Sequence, residues 1–199
     1  MRSYLNIFIF ILLMSSCSEE VEITYGVSEP EIDQNTGSSD NYVKDILKDK
    51  NYNLNKFFVG AAHNTNQLNT YVENIFLKEF SYSTVENSAK QSIVHPEPGL
   101  WKWDRLNSYL DFIERNDIIS RIHGPVGPQS SKWAKNDSRT GQELLENMTE
   151  YMTELSKKLN DINVVKWMDV VNETITTTGQ WHGEREGDDK WENPWKQIG

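Results

Sequence analysis

Four short apolar runs alternate with amphipathic helical patterns along residues 57–173, and this alternation constrains the fold more than any other feature. Each run is short enough for a buried strand, and each segment between runs carries apolar residues at helical spacing. Repeated strand–helix units are typical of a parallel sheet covered by helices. The predicted strands are FFVGAA (57–62), SYSTVEN (81–87), IISRIHGPV (118–126) and VVKWMDVVNE (164–173).

The helical segments between these runs have defined apolar faces and start signals. Asp104 is expected to cap the second helix, and Thr140 and Glu143 have capping-box spacing at the start of the longest one. Apolar side chains share one face of each helix: Leu68, Tyr71, Val72, Ile75 and Phe76 in the first, Leu106, Tyr109, Leu110 and Ile113 in the second, and Leu144, Met148, Tyr151, Met152 and Leu155 in the third.

Two parallel architectures compete for this pattern, a doubly wound open sheet and a (β/α)8 barrel. A doubly wound nucleotide-binding sheet usually has a Gly-rich turn after its first strand, and GAAHNTNQL lacks both that turn and a phosphate-loop lysine. Polar residues instead follow several strands, namely Glu86 and Asn87, then His123, then Asn172 and Glu173. Because barrel enzymes gather side chains from many strand ends, the predicted class is α/β, a (β/α)8 TIM barrel of which the chain supplies about the first four βα units.

The first 40 residues differ in composition and predict a cellular address. One arginine precedes a largely apolar stretch, residues 5–14, which is too short to span a bilayer and is typical of a signal peptide. The end of that stretch, MSSC, resembles a bacterial lipoprotein box and makes Cys17 the expected lipidation site. The expected location is therefore the bacterial cell envelope, anchored to the membrane through Cys17, or secretion if Cys17 is not lipidated.

Residues 18–40 carry seven acidic side chains and no lysine or arginine, which is typical of a solvated tether. The predicted organisation is a lipoprotein signal peptide at 1–17, an acidic flexible tether at 18–52 and the barrel part at 53–199. A formal net charge of −10 argues against a nucleic-acid partner, which would need basic side chains for its phosphates. Cys17 is the only cysteine, so neither an intrachain disulfide nor a multi-cysteine metal site is expected, and no cofactor is predicted.

Several motifs, in order along the chain, resemble those of glycoside hydrolase family 10, the endo-β-1,4-xylanases. FFVGAA is similar to the family's first strand, TVENSAK to its second-strand motif, RIHGPVGPQSSKW to its third-strand motif, and DVVNE to its most specific motif. The resemblance implies that Glu173 is the general acid/base and that Asn172 binds the 2-hydroxyl of the sugar. The remaining residues expected to bind substrate are Glu86, Asn87, Lys90, His123 and Gln129.

The chemistry of glycoside cleavage accounts for these residue types. One carboxylic acid protonates the leaving oxygen, and in a retaining enzyme a second carboxylate attacks from roughly 5 to 5.5 Å away. The acid needs an apolar or negatively charged neighbourhood that raises its pKa, and we expect Val170 and Val171 to line it, with Trp167 if its ring turns inward. The family's nucleophile lies on the seventh strand, so it is expected beyond residue 199. The chain is thus interpreted as an incomplete N-terminal fragment, inactive alone.

The third-strand motif departs from the family pattern in a way that bears on substrate. The family continues into a Trp-His pair, whereas this chain has Gly127 and Pro128. The predicted function is therefore a retaining, endo-acting glycoside hydrolase that cleaves β-1,4-xylan or a related β-linked plant or algal polysaccharide. The alternative is a noncatalytic surface glycan-binding lipoprotein with a degenerate barrel.

Overall fold

A computed structural model of the chain describes residues 42–53, 56–136, 138–183 and 192–198. Its centre is a four-stranded sheet in which every neighbouring pair is parallel and the strands follow one another in sequence order. The sheet confirms the predicted parallel architecture, since each strand overlaps one predicted run. The strands are β1 (Gly60–His63), β2 (Tyr82–Val85), β3 (Ile119–Ile122) and β4 (Val165–Met168).

Helices connect the consecutive strands, as a (β/α) barrel requires. Short 3-10 helices lie at Thr65–Gln67, after β1, and at Pro194–Ile198. The predicted helices between strands are all present, so the chain supplies the first half of the barrel pattern. The α-helices are α1 (Val43–Asp49), α2 (Tyr71–Glu79), α3 (Gln91–Val94), α4 (Asp104–Arg115) and α5 (Gly141–Leu159).

The two capping predictions have different outcomes. At the start of α5 the Thr140 hydroxyl accepts from the Glu143 backbone N–H at 3.2 Å, and the Glu143 carboxylate accepts from the Thr140 N–H at 2.8 Å, which confirms the capping box. The prediction that Asp104 caps α4 is wrong. Asp104 is the first residue of the helix, because the preceding residue, Trp103, already has helical backbone angles and takes the capping position.

Helix α1 lies within the segment 18–52 that the sequence predicts as a tether. The Val43 backbone N–H donates to the Glu79 carboxylate at 2.7 Å, and the Lys44 ammonium donates to the Leu77 carbonyl at 2.9 Å. These bonds hold α1 at the carboxyl end of α2. Cys17 and the predicted signal peptide lie outside the described residues. In the parts of the chain that the structure describes, no helix is both long and apolar enough to cross a bilayer.

The main core lies between the sheet and helices α2, α4 and α5, and a buried hydroxyl network crosses it. Tyr109 on α4 donates to the Ser83 hydroxyl at 3.0 Å and lies 2.6 Å from the Ser120 hydroxyl. Ser83 and Ser120 are register partners on β2 and β3, and all three side chains are fully buried. Burial raises the pKa of Tyr109 to about 12. Tyr109 therefore joins α4 to both central strands through one hydroxyl.

Two imidazoles, those of His63 and His95, are also buried in this region. The ring of His63 stacks on Phe76 at 4.8 Å and meets Phe112 edge-on at 4.7 Å. The ring of His95 stacks on Trp101 at 4.2 Å, and its Nε2 lies 3.4 Å from the Glu150 carboxylate. Burial lowers the pKa of both histidines, although the negative charge of Glu73 opposes the shift at His63 and that of Glu150 opposes it at His95.

The prediction that the fourth run forms a buried strand is wrong for the described residues. Trp167, Val170 and Val171 are 46%, 48% and 58% exposed. The reason is that β4 is an edge strand of the four-stranded sheet in the described part of the chain. The Trp167 ring meets Phe58 at 5.8 Å and Tyr82 at 5.9 Å.

We expect Tyr109→Phe to lower the free energy of unfolding by about 1 to 3 kcal/mol, because two buried serine hydroxyls lose their common partner. Chemical denaturation monitored by circular dichroism measures the change. Tyr71→Phe is the matched control, because the Tyr71 side chain is exposed, and its effect should stay within about 0.5 kcal/mol. Equal effects of the two substitutions would show that the hydroxyl network contributes nothing to stability.

We expect the free energy of unfolding to fall as the pH drops below about 6.5, the ordinary pKa of histidine. The pKa values of His63 and His95 are lowered in the folded state, so the unfolded chain binds more protons in this range. Their stabilisation is therefore complete above the unfolded pKa and declines below it. Denaturation curves between pH 7.5 and 5.5 test the slope, which His63→Phe and His95→Phe should each reduce. An unchanged slope in the double variant would contradict this account.

Candidate active site

Several predicted site residues, namely Glu86, Lys90, Asn172 and Glu173, lie near one another at the edge of the sheet formed by the carboxyl ends of the strands. Pairing between the third and fourth chain segments continues beyond β3 and β4. The Val126 N–H donates to the Val170 carbonyl at 3.0 Å, and the Asn172 N–H donates to the Val126 carbonyl at 2.8 Å. These two bonds fix the backbone immediately before Glu173. Asn172 is half-buried there, whereas Glu173 is exposed.

Lys90 lies at the centre of this edge, directly before α3, and only 4% of its surface is exposed. Its backbone N–H donates to the Asn87 carbonyl at 3.0 Å, which closes a turn after β2. Burial lowers the pKa of the Lys90 ammonium, and the negative charges of Glu173 and Glu86 oppose that shift. The buried Lys90 ammonium is therefore close enough to both predicted carboxylates for their charges to act on it.

Two glycines in the loop after β3 allow close contact with Asn172. Gly124 has φ of +66°, and a methyl group on it would lie 3.2 Å from Lys90 Cε and 3.3 Å from Asn172 Nδ2. A methyl group on Gly127 would lie 2.5 Å from the Asn172 carbonyl oxygen. Any side chain at position 127 would therefore displace this backbone contact. Gly127 makes the contact at a position where the family motif has an aromatic residue.

His123 is oriented by a residue that the sequence reading missed, Asp169. His123 Nδ1 lies 3.0 Å from Asp169 Oδ2, and the Arg121 guanidinium lies 3.4 Å from the same oxygen. If Nδ1 carries the proton that this contact implies, Nε2 is an acceptor. The parallel register could have indicated the pair, because Ile122 lies opposite Met168 and the next residues are His123 and Asp169.

A groove of about 340 Å³ opens beside Glu86 and His123 on the concave face of the sheet. Glycine and alanine on β1 leave space there, since they have little or no side chain. The Glu86 carboxylate accepts from the side-chain amide of Asn64, the residue directly after β1, at 3.0 Å. The rest of the lining consists of Gly60, Ala61, Ala62, Tyr82, Thr84 and Arg121.

A buried amide beneath Lys90, that of Gln91, fixes the surrounding loops. Its Nε2 donates to the Asn147 side chain on α5 at 3.1 Å and to the His95 carbonyl at 2.8 Å. Its Oε1 accepts from the Ser131 backbone N–H. Gln91 thus connects α3, α5 and the loop after β3. That loop also carries Gln129, which is half-buried.

The three residues that we expected to line Glu173 are more exposed than that expectation implies. Val170 and Val171 are both exposed, and Trp167 contacts Phe58 and Tyr82 instead. The backbone of Glu173 has φ of +50°, a conformation that residues other than glycine seldom adopt. Such backbone outliers cluster at functional sites, where the surrounding structure holds them in place. The described ranges contain no group of three or more His, Cys, Asp or Glu side chains arranged to hold a metal ion.

Comparison with known proteins relates the chain to xylanases. It is 32% identical over 124 residues to endo-1,4-beta-xylanase A of Caldicellulosiruptor saccharolyticus, a match that covers 60% of this chain and 36% of that protein. It is 30% identical over 136 residues to beta-1,4-xylanase of Dictyoglomus thermophilum, covering 67% of this chain and 35% of that protein. The chain thus spans about a third of the length of these curated relatives.

Solved structures give the same relationship at the level of the fold. A psychrophilic glycoside hydrolase family 10 endo-beta-1,4-xylanase superposes with a TM-score of 0.62 and 25% identity, over 79% of this chain and 48% of that one. Xylanase B from Clostridium stercorarium F9 superposes with a TM-score of 0.61 and 20% identity, over 79% and 47% of the two chains. The family model of glycosyl hydrolase family 10 matches residues 47–198, and the chain therefore belongs to that family.

Proposed function

We propose that the protein is a retaining, endo-acting glycoside hydrolase that cleaves β-1,4-xylan or a related β-linked polysaccharide. The observation that carries the proposal is the convergence of Glu173, Asn172, Lys90 and Glu86 at the carboxyl edge of the sheet. Family membership supports the reaction class, and the names of the relatives, xylanases from two bacteria, support the substrate class.

In the proposed reaction Glu173 donates a proton to the glycosidic oxygen and later removes one from the attacking water. Asn172 supplies a neutral amide that donates to a sugar hydroxyl without changing the charge beside Glu173. Lys90 is a buried cation that feels the charges of both Glu86 and Glu173, so in this proposal it limits repulsion between these carboxylates and donates to sugar hydroxyls. The nucleophilic carboxylate is assigned to the seventh strand of the family barrel, outside the four strands that the structure describes.

The remaining predicted residues line the path of the sugar chain in this proposal. His123 presents Nε2 to a hydroxyl while Asp169 holds Nδ1. Glu86 accepts from sugar hydroxyls beside the groove, and Asn87 and Gln129 contact the chain from the loops after β2 and β3. Gly127 and Pro128 project no aromatic ring over the sugar next to Asn172. The missing aromatic contact supports a decorated xylan or another β-linked polysaccharide as the substrate.

We expect Glu173→Gln in the full-length protein to reduce hydrolysis of xylan by about 100- to 10,000-fold, the usual contribution of general acid/base catalysis. Release of reducing sugar measures turnover. Glu114→Gln, at an exposed carboxylate on α4, is the matched control and should retain wild-type activity. Equal activity of the Glu173→Gln and wild-type proteins would remove Glu173 as the acid. Oligosaccharide binding without any turnover by the wild type would instead identify a noncatalytic glycan-binding protein.

We also propose that the protein is anchored in the bacterial cell envelope by a lipid on Cys17, which rests on the MSSC sequence after an apolar stretch. Cells expressing the protein and fed a fatty acid with a clickable alkyne should label it. Cys17→Ser should abolish labelling and release the protein from the membrane fraction, whereas the neighbouring Ser16→Ala should retain both. Membrane association that survives Cys17→Ser would contradict the anchor.

A further inference from the structure

Residues 192–198, called segment 192–198 below, pack on the start of helix α5. The 3-10 helix Pro194–Ile198 lies against α5. A methyl group on Gly141, the first residue of α5, would run into the Gln197 carbonyl oxygen, so the two backbones lie in direct contact. The side chains at positions 192 to 195 are all buried. Segment 192–198 is therefore an integral part of the folded domain.

Trp195 connects this segment to the chain that precedes the proposed acid. Its side chain is 7% exposed and belongs to the same buried apolar cluster as Val126. The Val126 carbonyl accepts from the Asn172 N–H at 2.8 Å, and Asn172 is followed directly by Glu173. Because a buried indole contributes a large packing area, Trp195 helps to keep Val126 where it can make this bond.

Backbone hydrogen bonds connect the same segment to the chain that follows the acid. The Asn193 N–H donates to the Gly183 carbonyl at 2.6 Å. The residue before that glycine, His182, donates its N–H to the Thr174 carbonyl at 3.0 Å, and Thr174 directly follows Glu173. The chain is therefore held on both sides of the proposed acid by contacts that lead to one segment.

The backbone of Glu173 depends on such support. Its φ of +50° is a conformation that residues other than glycine seldom adopt, and it persists only where the surrounding structure holds it. The Glu173 side chain is exposed, so packing of the side chain itself contributes little to its position. The position of the carboxyl group therefore depends mainly on how firmly the flanking backbone is held.

We propose that segment 192–198 positions Glu173 for proton transfer and that Trp195 is its main positioning residue. The positioning role rests on the proposed hydrolase function and adds to it a support for the acid. Trp195 acts through Val126 and Asn172 and does not touch the substrate in this proposal. Loss of the support lets the carboxyl group move away from the glycosidic oxygen, and a displacement of about 1 Å can reduce the rate by about 100-fold.

A purely structural role for Trp195 makes a different prediction. If Trp195 only stabilised the fold, its loss would lower activity on every substrate to the same extent. If it positions the acid, the loss falls on substrates whose leaving group must be protonated as the bond breaks. A substrate with a leaving group that departs without a proton therefore separates the two roles.

The first test compares kcat/KM of the full-length protein for xylan and for 2,4-dinitrophenyl β-xylobioside, whose leaving group needs no proton. Trp195→Ala should lower kcat/KM for xylan by about 10- to 100-fold. The value for the aryl xylobioside should fall by less than about threefold, because cleavage of its bond does not need the acid. Trp195→Phe keeps a buried ring and should restore most of the activity on xylan.

Gly141→Ala is a second variant, and it leaves every core side chain in place. Its methyl group would meet the Gln197 carbonyl oxygen and displace the segment from α5, whereas alanine favours the helix itself more than glycine does. It should reproduce the selective loss on xylan even if Trp195→Ala does not fold. Leu145→Ala, at an exposed apolar residue of the same helix, is the matched control and should leave both kcat/KM values unchanged.

The second test measures hydrogen–deuterium exchange of the Asn172 and His182 backbone N–H groups in the full-length protein, and it needs no turnover. Trp195→Ala and Gly141→Ala should each speed exchange at both groups by about 10-fold or more, because local opening of the chain around Glu173 becomes easier. Leu145→Ala should leave both exchange rates unchanged.

The outcomes separate the positioning role from the hydrolase. If the wild type cleaves neither substrate but Trp195→Ala and Gly141→Ala still speed exchange, the support of the chain around Glu173 stands and the hydrolase proposal fails. If xylan hydrolysis depends on Glu173 but the two variants lower both kcat/KM values equally, or change neither, the positioning role alone is overturned. Exchange rates that match those of Leu145→Ala would overturn it as well.

Discussion

Parallel pairing of the strands is the constraint on which the rest of this structure depends. Because all four strands point the same way and pair in sequence order, each strand delivers its following residues to the same edge of the sheet. The backbone bonds between Val126 and the segment Val170 to Asn172 extend that pairing past the regular strands. They place Asn172 against the loop after β3 and hold Glu173 beside Lys90. The position of the proposed catalytic group thus follows from the strand register and not from a separate folded unit.

Polar groups on the two faces of the sheet have different roles: those facing the helices are structural, and those facing the groove are the proposed functional ones. On the helix-facing side, the hydroxyls of Tyr109, Ser83 and Ser120 satisfy one another, so their polarity contributes to packing. On the concave side, Arg121 and the pair of His123 and Asp169 remain partly exposed. Period-two alternation along β3 separates the sets, since Ser120 and Ile122 face the helices whereas Arg121 and His123 face the groove. Whether a polar residue of β3 packs against the helices or lines the groove therefore depends on whether its position along the strand is even or odd.

Sequence alone predicted the features that depend on local pattern. The strand positions and the capping box of α5 depend on residue spacing, and the family was identified from motifs such as DVVNE, so these expectations were confirmed. The burial of Val170 and Val171 depends on which elements cover an edge strand, and spacing along one strand contains no such information. The partner of His123 depends on register between two strands, and Asp169 lies 46 residues further along the chain. The cap of α4 failed because Trp103 adopts helical angles that its side chain does not signal.

The loop after β3 and the segment that carries the proposed acid constrain each other. At position 127 a glycine lets the loop backbone pack on the Asn172 carbonyl, because a methyl group there would lie 2.5 Å from that oxygen. Gly124, with φ of +66°, brings the same loop close to the Asn172 side-chain amide and to Lys90. The two glycines therefore help to determine where the amide of Asn172 and the buried ammonium of Lys90 lie, and the proposed acid follows Asn172 directly in the chain.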